Sequence, residues 1–146
     1  MSRKLLELMG FTAIAVLWLG ATGCASSAVG DPCIPETVPD EGFRADETYF
    51  ETSSVQCATR VCLVRELDGD PSQICTGEND SNECVTEKEI ERSVYCSCRC
   101  AAPEGSSVPT CGCPGGFFCE EILFSGGEGL RGSYCVRDPA LDIPET

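Results

Sequence analysis

Thirteen of the 146 residues are cysteine. Twelve of these lie between Cys33 and Cys135, and the thirteenth, Cys24, follows a hydrophobic N-terminal run. A reducing cytosol keeps thiols unpaired, whereas an oxidising compartment joins them into covalent links that stand in for a large hydrophobic core. The cysteine count therefore points to an exported chain. It predicts a small fold stapled by disulfides among Cys33, Cys57, Cys62, Cys75, Cys84, Cys96, Cys98, Cys100, Cys111, Cys113, Cys119 and Cys135. Twelve cysteines can pair in roughly ten thousand ways, so spacing alone leaves the map open.

The first residues carry the pattern of an export signal. Arg3 and Lys4 precede an apolar run over residues 8–19, and small residues fill 20–23. The run is shorter than the roughly 20 apolar residues that a membrane span needs. Ala21-Thr22-Gly23-Cys24 resembles the lipobox of bacterial lipoproteins, with Ala21 standing where that family usually has Leu or Val. The resemblance implies that residues 1–23 are a signal peptide, that Cys24 becomes the mature N-terminus, and that it carries a diacylglyceryl thioether and an amide-linked acyl chain such as palmitate. Several acyl chains anchor a protein far more firmly than one. Ala25 at the second mature position, with no aspartate there, resembles lipoproteins sorted to the outer membrane of a Gram-negative cell. The competing reading is cleavage after Ala28, which would discard Cys24 and leave a secreted or periplasmic protein. Parity does not choose between them, because an even twelve cysteines remain either way.

Loss of residues 1–23 removes Glu7, Arg3 and Lys4, leaving 23 acidic against 8 basic residues and a net charge of −15. Such a surface repels phosphate backbones and has no Lys/Arg cluster, so nucleic acid is not an expected partner. The chain has no histidine, which rules out Ser-His-Asp and Cys-His pairs and histidine-ligated metal sites. Lys88, the lysine left after the leader, sits between Glu87 and Glu89, which favour its protonated form over a general base. Glu120 and Glu121 are adjacent, so a strand would send them to opposite faces. No enzyme and no cofactor are expected.

Three segments organise the chain: the signal peptide 1–23, a lipidated N-terminus and tether 24–44 rich in Pro32, Pro35 and Pro39, and a cysteine-rich domain 45–146. Cys33 is expected to pair downstream and stitch the tether to the domain. The fold class is small, disulfide-rich and mainly β, with irregular loops. Strand composition marks residues 48–57, 60–67, 93–100, 117–124 and 133–137. The first two runs form either a hairpin or one bent strand, and Ser125-Gly126-Gly127-Glu128-Gly129 connects the last two as a hairpin. Thr86 and Glu89 match a capping box at the head of a short helix over 86–92.

The densest motif is Cys96-Ser97-Cys98-Arg99-Cys100, followed by Cys111-Gly112-Cys113. On one extended strand, Cys96, Cys98 and Cys100 would share a face and pair with cysteines on neighbouring strands. A thiolate cluster holding zinc or copper is the alternative reading of the same spacing. Cys119 and Cys135 occupy similar positions on the two arms of the C-terminal hairpin, which predicts a cross-strand bridge. Cys111-Gly112-Cys113-Pro114-Gly115-Gly116-Phe117 resembles the middle of an EGF-like module. That resemblance ends at Cys119, and no EGF fold is carried over.

Two further features could bind ligands. Asp68-Gly69-Asp70 and Glu78-Asn79-Asp80-Ser81-Asn82-Glu83 offer oxygen ligands to calcium, without an EF-hand pattern. The loop 101–110, held between Cys100 and Cys111, is pinned at both ends as in disulfide-rich protease inhibitors. The lipobox, tether and acidic cysteine-dense domain together are similar to cysteine-rich lipoproteins of large-genome Gram-negative bacteria, a resemblance that implies anchoring but no activity. The expectation is a non-enzymatic module of the cell envelope, joined to the membrane by its lipid and binding an unidentified envelope or extracellular protein. A secreted inhibitor-like binder and a thiolate metal protein are the alternatives.

Overall fold

The molecule is built around two runs whose side chains alternate between two cores. The computed structural model describes residues 28–77 and 84–142. In chain order these form β1 (Thr48–Glu51), β2 (Val61–Arg65), α1 (Glu87–Ser93), β3 (Val94–Ser97), β4 (Arg99–Ala101), β5 (Phe117–Leu123), β6 (Gly132–Arg137) and a 3-10 turn (Pro139–Asp142). Cys62 and Val64 of β2, with Val94 and Cys96 of β3, enter one core alongside Cys33, Phe43, Cys57, Leu67 and Val85. Leu63 and Tyr95, one position along each strand, enter a second core with Val136. The period-2 alternation of a pleated strand therefore buries both faces of this sheet.

β1, β2 and β3 form one antiparallel sheet in that order, and β4, β6 and β5 form the other. The second core joins the sheets, since Phe50 of β1 and Phe117 and Ile122 of β5 pack against Leu63, Tyr95 and Val136. Polar ties cross the same junction. The buried Ser97 hydroxyl donates to the Cys135 carbonyl at 2.7 Å, and Arg65 donates to the Glu120 carboxylate. The chain is thus a small, disulfide-rich, mainly β fold with one short α-helix among the described residues, as its composition predicts.

Residues 48–57 and 60–67 resolve into a hairpin, with Thr48 opposite Arg65 and Glu51 opposite Cys62. β1 stops at Glu51, because the chain then turns so that Cys57 can reach Cys96. Arg60 takes a positive φ of 65° at the end of that turn, where its N–H donates to the Cys57 carbonyl. α1 begins with the capping box: Thr86 accepts from the Glu89 N–H at 3.2 Å, and the Glu89 carboxylate accepts from the Thr86 N–H at 2.7 Å.

The segment expected as a tether is part of the fold from Gly30 onward. The Gly30 N–H donates to the Cys96 carbonyl and the Cys96 N–H to the Asp31 carbonyl, so this stretch lies along β3. Cys33 bonds to Cys62, the downstream pairing its position suggests. Phe43 is 2% exposed, and its backbone exchanges two hydrogen bonds with Gly69 at 2.8 and 2.9 Å. Residues from Gly30 onward therefore pack against the sheet. Gly42 makes this close approach possible: its φ is +78°, and a Cβ there would lie 2.6 Å from the Gly69 carbonyl carbon.

Candidate functional site

Six disulfides consume all twelve cysteines from Cys33 to Cys135. The pairs are Cys33–Cys62, Cys57–Cys96, Cys75–Cys84, Cys98–Cys111, Cys100–Cys119 and Cys113–Cys135. The Cys96-Ser97-Cys98-Arg99-Cys100 run does not line one face of one strand. It breaks at Cys98, leaving Cys96 in the first sheet and Cys100 in the second, so its three cysteines staple different parts of the molecule. The reason is the junction itself: Ser97 and Cys98 are the hinge where the backbone passes from β3 to β4, and the Cys98 carbonyl accepts from the Cys135 N–H.

The expected Cys119–Cys135 bridge is not formed. The two residues are register partners across β5 and β6, as the hairpin predicts. However, Cys113 enters from the preceding loop and takes Cys135, while Cys119 bonds to Cys100 on the far strand of the sheet. Several sulfurs converge here. Cys98 Sγ lies 3.7 Å and Cys111 Sγ 3.8 Å from Cys135 Sγ, and the sulfurs of Cys100, Cys113 and Cys135 lie within 4.8 Å of one another. Such triads have the proximity of a metal site, but each sulfur is already spent in an S–S bond, and a disulfide sulfur lacks the thiolate charge that holds zinc or copper.

Beside this cluster lies an open groove of about 450 Å³. One wall is the disulfide-pinned loop, through Val108, Pro109 and Thr110; another is the β5–β6 connection, through Gly129 and Leu130; Thr52 and Thr59 of the β1–β2 connection and Val61 of β2 close the third side. Arg99 and Tyr134 line it as well. Arg99 is 8% exposed. Its Nη1 donates to the carbonyls of Glu128 at 3.0 Å and Arg131 at 3.2 Å, which straps the connecting loop down. Its Nε is buried without a hydrogen-bond partner. Gly132, at φ +137°, lets β6 approach β4 closely, since a Cβ there would collide with the Ala101 carbonyl oxygen and lie 3.1 Å from Arg99 Cδ. Nothing in the sequence singled out Arg99, because only the tertiary fold shows that its charge is buried.

The other candidates separate. Loop 101–110 is pinned at both ends, through Cys100–Cys119 and Cys98–Cys111. Lys88 is exposed on α1. Glu120 is engaged by Arg65, and Glu121 is its exposed neighbour. Asp68 and Asp70 line a shallow depression with Asp40 and Glu41. There the Asp70 carboxylate accepts from the Ser72 N–H at 2.8 Å, which holds its pKa below the usual value. Cys24 and the acidic run 78–83 lie outside the described residues. No helix among the described residues is long and apolar enough to cross a membrane.

No protein-family model matches the chain, and no curated protein or solved structure is detectably similar to it. What fold and groove define is therefore a class: a small, disulfide-stapled, mainly β domain with a buried arginine, Arg99, at the edge of an open groove.

Proposed function

We propose that this chain is exported, anchored at the outer membrane through lipidated Cys24, and serves there as a non-enzymatic binding module. One observation carries the reading: the cysteines from Cys33 to Cys135 are satisfied among themselves, so Cys24 has no partner cysteine left in its own chain. Six disulfides fit an oxidising compartment, and a cysteine excluded from them after an apolar leader fits lipid attachment. The absence of histidine and the exposed Lys88 support a role without catalysis.

The test is metabolic labelling with an alkyne analogue of palmitate in a Gram-negative host. The wild type is expected to take up label and sediment with membranes, and Cys24→Ser to do neither. An unlabelled, soluble wild type that starts after Ala28 would replace the anchored module with a secreted one. For that secreted form, the loop 101–110 bolted by two disulfides favours an inhibitor-like binder. A protease would then cut one bond in the loop slowly and remain bound.

A further inference from the structure

We propose that the Arg99 groove is a carboxylate-binding site that takes a ligand with one acidic end and a short apolar body. Arg99 is electrostatically unbalanced. A buried guanidinium normally sits against a carboxylate, because an unneutralised charge away from water is costly. This chain has 24 Asp and Glu residues to supply one, and Arg65 and Arg44 do hold acidic partners. Arg99 has none within 4 Å among the described residues. It has only two carbonyls and a buried Nε without a partner.

The groove beside it is equally selective. Its lining contains no aspartate or glutamate, although the chain carries far more acidic than basic residues. Thr110 offers a hydroxyl, and Val108, Pro109 and Leu130 offer an apolar wall. With both Nη1 hydrogens given to carbonyls and Nε buried, the Nη2 amino group is the part of the guanidinium left to form a charge-assisted hydrogen bond with a carboxylate. A volume of about 450 Å³ falls in the range of small-ligand sites. The walls are held for binding, one by Cys98–Cys111 and the other by Arg99 itself. The same geometry fits a free small acid or the C-terminal carboxylate of a peptide.

This assignment rests on the binding role proposed above and not on the lipid anchor. The test is calorimetry on the full mature chain with disulfides intact, using N-acetyl-leucine, its uncharged amide, and a capped pentapeptide ending in a free leucine carboxylate. The acids are expected to bind at least tenfold more tightly than the amide and to weaken as salt rises. Arg99→Met should lose the preference for acid over amide. That residue also straps a loop, so Thr110→Glu is the second variant: it adds a negative charge at an exposed wall position and should weaken the acids at least tenfold while the melting temperature is kept. A pentapeptide that binds at least tenfold better than N-acetyl-leucine identifies a chain terminus as the natural source, and equal affinities identify a small acid. Equal binding of acid and amide, or no binding of any acid at millimolar concentration, overturns the assignment. If the acids bind while Cys24 carries no lipid, the anchor fails and the groove stands; the reverse result removes the groove alone.

Discussion

Arg65 on β2 holds the carboxylate of Glu120 on β5 through two parallel hydrogen bonds, 2.7 and 3.2 Å long, and so ties one sheet to the other. The side chains are 24% and 35% exposed, intermediate between surface and core. The carboxylate raises the Arg65 pKa above its ordinary value. Paired geometry makes this bridge stronger than a typical surface pair, whose worth is about 0.2–1 kcal/mol. A double-mutant cycle with Arg65→Met and Glu120→Gln, read by urea unfolding without reductant, should give a coupling of about 1 kcal/mol. Additive single effects would mean the sheets are joined by the apolar core and the Ser97–Cys135 hydrogen bond, without help from this ion pair.

The disulfides should differ in value. Cys57–Cys96 spans a sequence separation of 39 and Cys75–Cys84 one of 9. In the chain-entropy model, the longer loop is worth about 1 kcal/mol more. Cys57 and Cys96 are also buried, at 2% and 0% exposure, so removing them adds a packing loss. The Cys57→Ala/Cys96→Ala pair should therefore lose more stability than Cys75→Ala/Cys84→Ala. Complete reduction should unfold the chain, and a far-ultraviolet circular dichroism spectrum unchanged in excess reductant would contradict the stapled fold.

Two glycines separate steric clash from backbone preference. Gly42 and Gly105 have similar φ values, +78° and +81°, yet a Cβ at Gly42 meets Gly69 backbone while one at Gly105 meets nothing within 4 Å. Gly105→Ala should cost about 1 kcal/mol for the left-handed conformation. Gly42→Ala should cost clearly more, because the Phe43–Gly69 contact must open. Equal losses in urea unfolding would show that this contact yields easily.

The capping box gives a prediction with a pH sign. Thr86→Ala should lose about 1 kcal/mol at neutral pH. The Thr86 backbone and hydroxyl hold the Glu89 pKa below its ordinary value. A carboxyl whose folded pKa is depressed contributes stability above its unfolded pKa and loses it as pH falls through the folded value. The stability difference between wild type and Glu89→Gln should thus be present at pH 7, shrink below about pH 4.5, and vanish in stronger acid. A difference independent of pH would assign the Glu89 contribution to something other than its charge.

Elements governed by local rules were readable from the residues. The helix 86–92 follows from a hydroxyl and a carboxylate three positions apart, and the observed α1 shifts by one residue. The hairpin over 117–137 follows from two strand-like runs around a glycine-rich link, and Cys119 does face Cys135. Its disulfides were not readable, because Cys113 and Cys100 arrive from outside the hairpin and compete for the same sulfurs. The 96–100 run was misplaced for a related reason. Alternation says which side a residue faces within one strand, but not that the strand changes sheets at Cys98. In the proline-rich stretch before Arg44 only Cys33 signals attachment to the domain; its partner Cys62 and the backbone match to β3 come from the tertiary fold. Arg99 was hidden in the same way: burial of a charge is a property of the assembled groove.

The proposed lipid anchor requires that Cys24 stay outside the six internal disulfides and carry the acyl chains. The most direct measurement is the intact mass of membrane-extracted protein, denatured and alkylated without reduction. An anchored module should give a chain that begins at Cys24, carries acyl mass, is lighter by the hydrogens of six disulfides and bears no alkyl group. A soluble chain that begins after Ala28, or one with several alkylated thiols, would contradict it.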